Sequence, residues 1–248
     1  MIIDFHVHGK ITSTLPFDEE KFLLTIKEAR ENGLDSIVVT EHLNANNFLE
    51  GYHFLKTNYN YIHDYYDING FKVFYGMEVT TSQNLDFLII GQSELVLKLR
   101  EEINTNLRNN KYIDISNLFN LNISEDLLII LAHPYRKHEI FPKLEKNIVD
   151  RIDAIELNSK DLYKFGIEIM KDKINELSTN LNLPITSGSD AHYFIQVSTA
   201  QNIFNKNCNT IKEIKKELKQ GNYNIKISNE LNIRVKSSII IKKLICKK

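Results

Sequence analysis

The sequence has few cysteines: Cys208 and Cys246 are the only two in 248 residues. Their spacing fits neither a zinc site nor a redox pair, and no disulfide framework is implied, so a reducing, cytoplasmic setting is expected. Nor is there an excess of charge of one sign. The 31 Lys and Arg nearly balance 32 Asp and Glu, for a formal net charge of −1. No global field therefore draws the chain to nucleic acid or to a membrane, although a local basic patch stays open. Long apolar runs are missing as well. The longest near the end, SSIIIKKLIC, is broken by Lys242 and Lys243 and falls short of the ~20 residues of a membrane span. The first residues, MIIDFHVHGK, enter a strand carrying an acid and two histidines, so no secretory leader is expected. No linker-like composition shift and no fixed-period repeat divides the chain. Its length suits one large α/β barrel or two modest domains.

Strand-like and helix-like segments alternate. IIDFHVH, SIVVTEH, KVFYGMEVT, LDFLIIG, LLIILAHP, DAIELN and LPITSG read as strands. FDEEKFLLTIKEARENG reads as a helix, with Asp18 as N-cap and Gly33 past its end. SELVLKLREEI and TIKEIKKELKQG read as helices too, the second with Thr210 as cap and Gly221 as stop. LYKFGIEIMKDKINELSTNLN reads as one long amphipathic helix. Residues 44–69, aromatic and polar, read as a helix-containing insertion. The tail from Tyr223 has no clear pattern. Such βα alternation argues for a parallel sheet covered by helices, open or closed into a barrel.

Strand after strand ends in a metal-ligand residue type. His6 and His8 close the first strand; His42 the second, after Glu41; Glu78, His133, Asp190 and His192 lie at later strand ends. In a parallel α/β architecture all these ends lie on one side and converge in space. Residues two apart on a strand point to the same face, so His6 and His8 can reach one cation, as can Asp190 and His192. Any one histidine at a strand end is more often structural than a ligand. Here five of the eight histidines share that placement, joined by two acids. Imidazole with carboxylate suits zinc, manganese or iron better than calcium or magnesium. The other histidines, His53, His63 and His138, carry no such pattern; His138 is near enough to His133 in the chain to approach the rim.

The segments DFHVH, VVTEH, YGMEVT, LAHP and GSDAH, in that order across residues 1 to about 200, resemble the PHP (polymerase and histidinol phosphatase) family. The resemblance implies an α/β fold, a distorted (β/α)7 TIM-like barrel, with a PHP barrel over residues 1–225 and residues 226–248 as an extension of the same domain. It implies two or three divalent metal ions (Zn, Mn or Fe). The first would be held by His6, His8, Glu78 and Asp190; the second by Glu78 and His133; the third by His42 and His192. Two positions depart from the family pattern. Ser13 stands where relatives often have a ligand of the third metal, and the strand after Glu78 offers Asp86 where relatives often have a histidine.

The activity implied is hydrolysis of a phosphoester by a metal-activated hydroxide, with His42, His192 and Arg136 as catalytic residues. Lys10, Arg136, Lys137 and Asn158 are candidates to hold the substrate phosphate, each weighed against a solvated or structural role. Glu41 reads as a partner that orients a ligand histidine. A small phosphorylated substrate of the histidinol-phosphatase kind is the first reading. A 3′–5′ exonuclease or an oligonucleotide or nucleotide phosphodiesterase is the alternative. Nucleic acid is not favoured by the net charge, and the tyrosine-rich stretch 52–66 reads as packing before it reads as a base-stacking surface. A barrel with His-x-His on its first strand is also compatible with amidohydrolases, but no metal-bridging lysine is evident. A metal-binding relative without turnover ranks last. No membrane partner is expected, and the oligomeric state is not encoded in these features.

Overall fold

A computed structural model describes residues 1–107 and 110–246. The elements follow in chain order as β1 (Ile2–Val7), α1 (Glu19–Glu31), β2 (Ser36–His42), α2 (Leu49–Asn58), β3 (Asn60–Ile62), β4 (Tyr65–Ile68), β5 (Phe71–Thr80) and β6 (Asp86–Gly91). Next come α3 (Ser93–Leu107), α4 (Ile115–Asn120), β7 (Leu128–Ala132), α5 (Lys146–Val149), β8 (Ala154–Asn158), α6 (Ser159–Phe165), α7 (Ile167–Leu181) and β9 (Ile185–Gly188). A 3₁₀ turn (Phe194–Gln196), β10 (Ala200–Phe204), α8 (Ile211–Gln220), β11 (Tyr223–Ile227) and α9 (Leu231–Ile245) complete the chain.

Strands β1-β2-β5-β6-β7-β8-β9 run side by side in that order. The ring closes where Val7 bridges Ala191 in parallel and the His8 N–H donates to the Ala191 carbonyl at 2.8 Å. The molecule is thus a TIM-like barrel of seven strands, as expected. β10 and β11 extend the sheet outward from β1, each antiparallel to its neighbour.

One strand departs from the expected parallel order. β6 pairs antiparallel with both β5 and β7. The connection between β5 and β6 spans only residues 81–85, too short for the crossover of a dozen or more residues that a parallel pair requires. The reversal puts the start of β6, not its end, on the carboxyl rim: Asp86 pairs with Thr80 on one side and Ala132 on the other.

The expected long helix is two helices. Gly166, at φ 100°, ends α6 and precedes α7. Apolar spacing continues through the break, which hid it from a periodicity reading; glycine alone takes this backbone region without strain. The 44–69 insertion contains α2 and the β3–β4 hairpin, with β4 paired to β5. The tail is ordered as β11 and α9, the latter packed on the 3₁₀ turn and α6. Residues 247–248 of the expected extension lie outside the described residues.

Two apolar cores hold the barrel. The larger lies between strands and helices, for example Ile37, Val39, Met77 and Ile89 with Phe22 and Ile26 of α1. The smaller contains Val38, Phe74, Leu88 and Ile130 with Ile211, Ile214 and Leu218 of α8. Val38, Phe74 and Leu88 share pleat parity with His42, Glu78 and Asp86, so this inner cluster is the floor beneath the rim residues. A register shift in β1 between Asp4 and Val7 resets its alternation just before the histidines turn inward.

Candidate metal centre

The rim residues converge. His6, His8, Glu78, His133 and Asp190 are all buried, whereas the His42 side chain keeps 29% of its exposure. His6 Nε2 lies 3.2 Å from His8 Nε2, 3.5 Å from Glu78 Oε2 and 3.8 Å from Asp190 Oδ1. His8 Nε2 lies 3.5 Å from the same Glu78 oxygen and 3.3 Å from the same Asp190 oxygen. His6, His8 and Asp190 form a three-ligand group, with Glu78 Oε2 beside both histidines; separations of this kind are near the roughly 3.3–3.4 Å between ligands of one tetrahedral cation with bonds of about 2.0–2.1 Å. His133 Nε2 is 2.9 Å from the other Glu78 oxygen, and His133 Nδ1 is 3.5 Å from Asp86 Oδ2. Glu78, Asp86 and His133 form a second three-ligand group; His8, His42 and His192 form a third. Asp86, on the reversed strand, thereby stands beside His133.

Buried donor atoms fit the metal. His8 Nδ1 and His133 Nδ1 are buried and have no hydrogen-bond partner among the described residues, and Glu78 Oε2 meets the His42 ring, with Nδ1 2.8 Å away. Neutral nitrogens pointed at one another and at carboxylates repel or waste their lone pairs unless a cation or proton lies between them. The backbone is also strained here. His133 has φ 31° and Asp190 φ 54°, a region non-glycine residues enter at a cost of about 1 kcal/mol or more.

Neighbouring groups fix the ligands. His6 Nδ1 is 2.8 Å from Glu156 Oε1, and Glu156 Oε2 accepts the His133 N–H at 3.0 Å. One carboxylate thus turns His6 Nε2 inward and anchors the backbone of His133. Glu41 lies 3.5 Å from His8 Nδ1 and accepts the backbone N–H groups of Lys10 and His42. Asp4 accepts N–H bonds from His6, Ser189 and Ser198, tying β1 to the turn that carries Asp190; burial pushes its carboxyl up to about 6. Gln196 donates to the carbonyls of Ser189 and Asp190 and shapes the same turn.

Charges follow this layout. Burial opposes ionisation of Glu78, but His42, His6 and His133 hold its carboxyl well below the usual range. Burial opposes Asp190 likewise, and Lys160, Arg136 and His6 hold it well below its usual value. His6 rises well above the ordinary imidazole value because Glu156, Asp190 and Glu78 outweigh its burial. His192 falls well below, through burial and the nearby His8 and Lys160 charges.

The cations expected to hold phosphate have partners within the protein. Lys10 donates its ammonium to the Asn46 carbonyl and lies 3.5 Å from Glu50. Lys137 donates to Asp86 at 2.9 Å. Arg136 uses its whole fork inside the protein: Nε to Asp161 at 2.9 Å, Nη1 to Asp190 at 2.6 Å and Nη2 to Asn158 at 2.7 Å. Arg136 therefore orients Asp190 and presents no free fork to a phosphate. Asn158 caps α6 through the Lys160 N–H and donates to Glu156. The cation the sequence reading missed is Lys160, 2.8 Å from Asp190 Oδ1 and 3.1 Å from His192 Nδ1. Its signal was its place in the first helical turn after the β8 strand end. Lys242, on α9, is close enough to feel the same groups: burial and the Lys160 charge lower its pKa, while Asp190 and Glu41 act in the opposite sense. Glu156, Asp161 and Asp4 were also missed.

A family model described as PHP-associated (PHP_C) matches residues 169–223, the stretch that carries Asp190 and His192. Among solved structures, PsfC from Pseudomonas syringae PB-5123 is similar over 98% of this chain and 98% of its own, with TM-score 0.75 and 18% identity. The lesion-specific endonuclease PfuEndoQ from Pyrococcus furiosus is similar over 91% of this chain and 58% of its own, with TM-score 0.62 and 20% identity. An endonuclease Q complex with a 27-mer duplex, an abasic lesion at its active site, is similar over 92% of this chain and 58% of its own, with TM-score 0.59 and 20% identity. At these identities the likeness is one of fold. No curated protein matches the chain. Among the described residues, no helix is long and apolar enough to cross a membrane.

Proposed function

We propose, from the PHP-associated family model over residues 169–223, the order of the five motifs and the barrel, that this chain is a PHP-type metal-dependent hydrolase of a small phosphomonoester. The observation that carries this reading is the clustering of His6, His8 and Asp190, with Glu78 placing one oxygen 3.5 Å from each of the two histidines and its other oxygen at His133, beside Asp86. Divalent cations bound there, zinc, manganese or iron, would make a water acidic enough to attack and would offset charge on the phosphoryl oxygens.

The chain's own residues do the positioning. Glu156 sets the His6 ring, and Arg136 and Lys160 set Asp190. Lys160 is the cation best placed to meet a phosphoryl oxygen once Asp190 turns to a metal. A water oxygen bonds to phosphorus as the bond to the leaving oxygen breaks, and the leaving alkoxide takes up a proton. His42 is the ring of the group with substantial exposure and is assigned that proton transfer; His192, buried, stays a ligand. The depth of the centre favours a terminal phosphate over a continuous backbone, since the proposed ligands are buried and, of the rim group, only His42 stands open to solvent. Both cysteines are free, in keeping with a cytoplasmic setting.

A phosphodiester reading, on an oligonucleotide or nucleotide, has one specific observation in its favour: endonuclease Q shares the barrel. A screen of phosphomonoesters, phosphodiesters and short oligonucleotides with manganese, zinc or iron supplied separates the two. Turnover of monoesters alone is expected. Turnover of oligonucleotides alone would replace the first reading by the second, and no turnover on any phosphate would leave a metal-binding protein without this activity.

A further inference from the structure

Beside the metal centre lies a second concavity of about 530 Å³, within the range of ordinary small-ligand sites. It is lined by Tyr135, Arg136, Lys164, Phe165, Ile169 and Lys173, with Glu139 the one carboxylate among its described lining residues. Arg136 joins it to the centre, because the same side chain lines the groove and donates to Asp190. The Gly166 break creates the outer wall: α6 stops at Phe165 and α7 starts at Ile167, leaving Phe165 36% and Ile169 57% exposed.

The charges of this wall are unspent. Lys164 Nζ lies 4.6 Å from the Phe165 ring centre and Lys173 Nζ 5.0 Å from that of Tyr135. Neither lysine forms an ion pair among the described residues; Lys173 reaches only the Glu139 carbonyl, at 3.3 Å. A groove with exposed ring and aliphatic surface and unpaired ammonium groups recognises a flat apolar group that carries negative charge. A cationic organic part, such as the amine of histidinol phosphate, would meet the two unpaired ammonium groups of Lys164 and Lys173 and a single carboxylate.

Resting on the phosphoesterase reading, we propose that this groove receives the organic part of the substrate and selects for a planar group bearing a second anion. The probe is naphthalene-2-sulfonate, which has no bond to hydrolyse, titrated by calorimetry into the manganese-loaded full chain. Methanesulfonate and 2-naphthylmethylammonium serve as the ring-less and cationic counterparts. The sulfonate is expected to bind at least about tenfold more tightly than either counterpart. Lys173→Ala is expected to weaken it about tenfold, and Ile169→Glu, at an exposed position that the fold does not depend on, to abolish it. Manganese in the centre should broaden the proton resonances of the bound ring, and Ile169→Glu should remove the broadening. Equal binding of anion and cation overturns the proposal, as does binding unaffected by both substitutions, or binding without broadening. None of these outcomes depends on turnover. If every phosphoester resists hydrolysis while the sulfonate behaves as expected, the groove stands and the phosphoesterase reading falls.

Discussion

Gly188 shows how tightly single residues are fitted at this centre. A Cβ added there would lie 2.4 Å from Glu156 Oε1 and 2.5 Å from the His6 Cβ. Glu156 is pinned by His6 and by the His133 N–H, so it cannot swing aside without releasing a ligand. Gly188→Ala is therefore expected to weaken metal binding by about 10–100-fold, the usual cost of disturbing the groups that hold ligands, while far-UV circular dichroism keeps the wild-type shape. Wild-type metal content in that variant would remove Gly188 from the account. Glu156→Gln tests the same shell by charge. It keeps a hydrogen-bond acceptor for His6 but removes the first of the carboxylates that raise that imidazole. In the metal-free wild type, His6 is raised above its unfolded value, so its stabilisation is fully present below about 6.5 and lost as pH rises through the folded value. Glu78 and Asp190 are lowered, so theirs is present above the usual carboxylate range and lost as pH falls through their folded values. Metal-free Glu156→Gln should lose much of the alkaline fall in melting temperature and keep the acidic one. The convergence of the proposed ligands was legible in the sequence because His, Glu and Asp recur at its strand ends. Glu156 and Gly188 were not, because what matters at those positions is distance across the barrel, and distance is absent from a local pattern.

At the scale of elements, helix ends were read more surely than strand directions. Thr210 and Gly221 were legible as the limits of α8, and the structure contains the full reciprocal cap: the Thr210 hydroxyl accepts the Glu213 N–H, and the Glu213 carboxylate accepts the Thr210 N–H. Capping depends on residues three apart, so a linear reading contains all of it. The consequence reaches the site, because α8 carries Ile211, Ile214 and Leu218 into the inner core. Thr210→Ala should cost about 1 kcal/mol, seen as a melting temperature lower by roughly 2–4 °C, with metal affinity unchanged. A loss of metal affinity of the same size as in Gly188→Ala would mean that the floor, and not the rim alone, sets the ligands. The direction of β6 and the division of α6 from α7 were not legible. LDFLIIG is apolar throughout and reads the same in either direction, and only the short 81–85 connection decides its sense. Gly166 sits inside a continuous amphipathic pattern, where a glycine is tolerated as often as it ends a helix.

At the scale of the whole molecule, the proposed ligands join parts of the chain that meet only in the folded barrel. His6 and His8 end β1, Glu78 belongs to β5, Asp86 opens β6, His133 follows β7 and Asp190 follows β9. A cation bound by this set stabilises the native state alone, because the unfolded chain cannot gather residues so distant in sequence. At a free metal concentration a thousand times the dissociation constant, linkage gives about 4 kcal/mol. For a chain of this length that is a rise in melting temperature of roughly 8–16 °C. Scanning calorimetry of the metal-depleted chain, then of the same sample resupplied with manganese or zinc, should show that rise. His6→Ala with His8→Ala should abolish it. Ligation also requires neutral imidazoles, so binding releases protons, and the rise should shrink as pH falls through the raised folded-state value of His6. A rise that survives the double substitution, or one that grows towards acid pH, would place the stabilising cation somewhere other than the barrel rim.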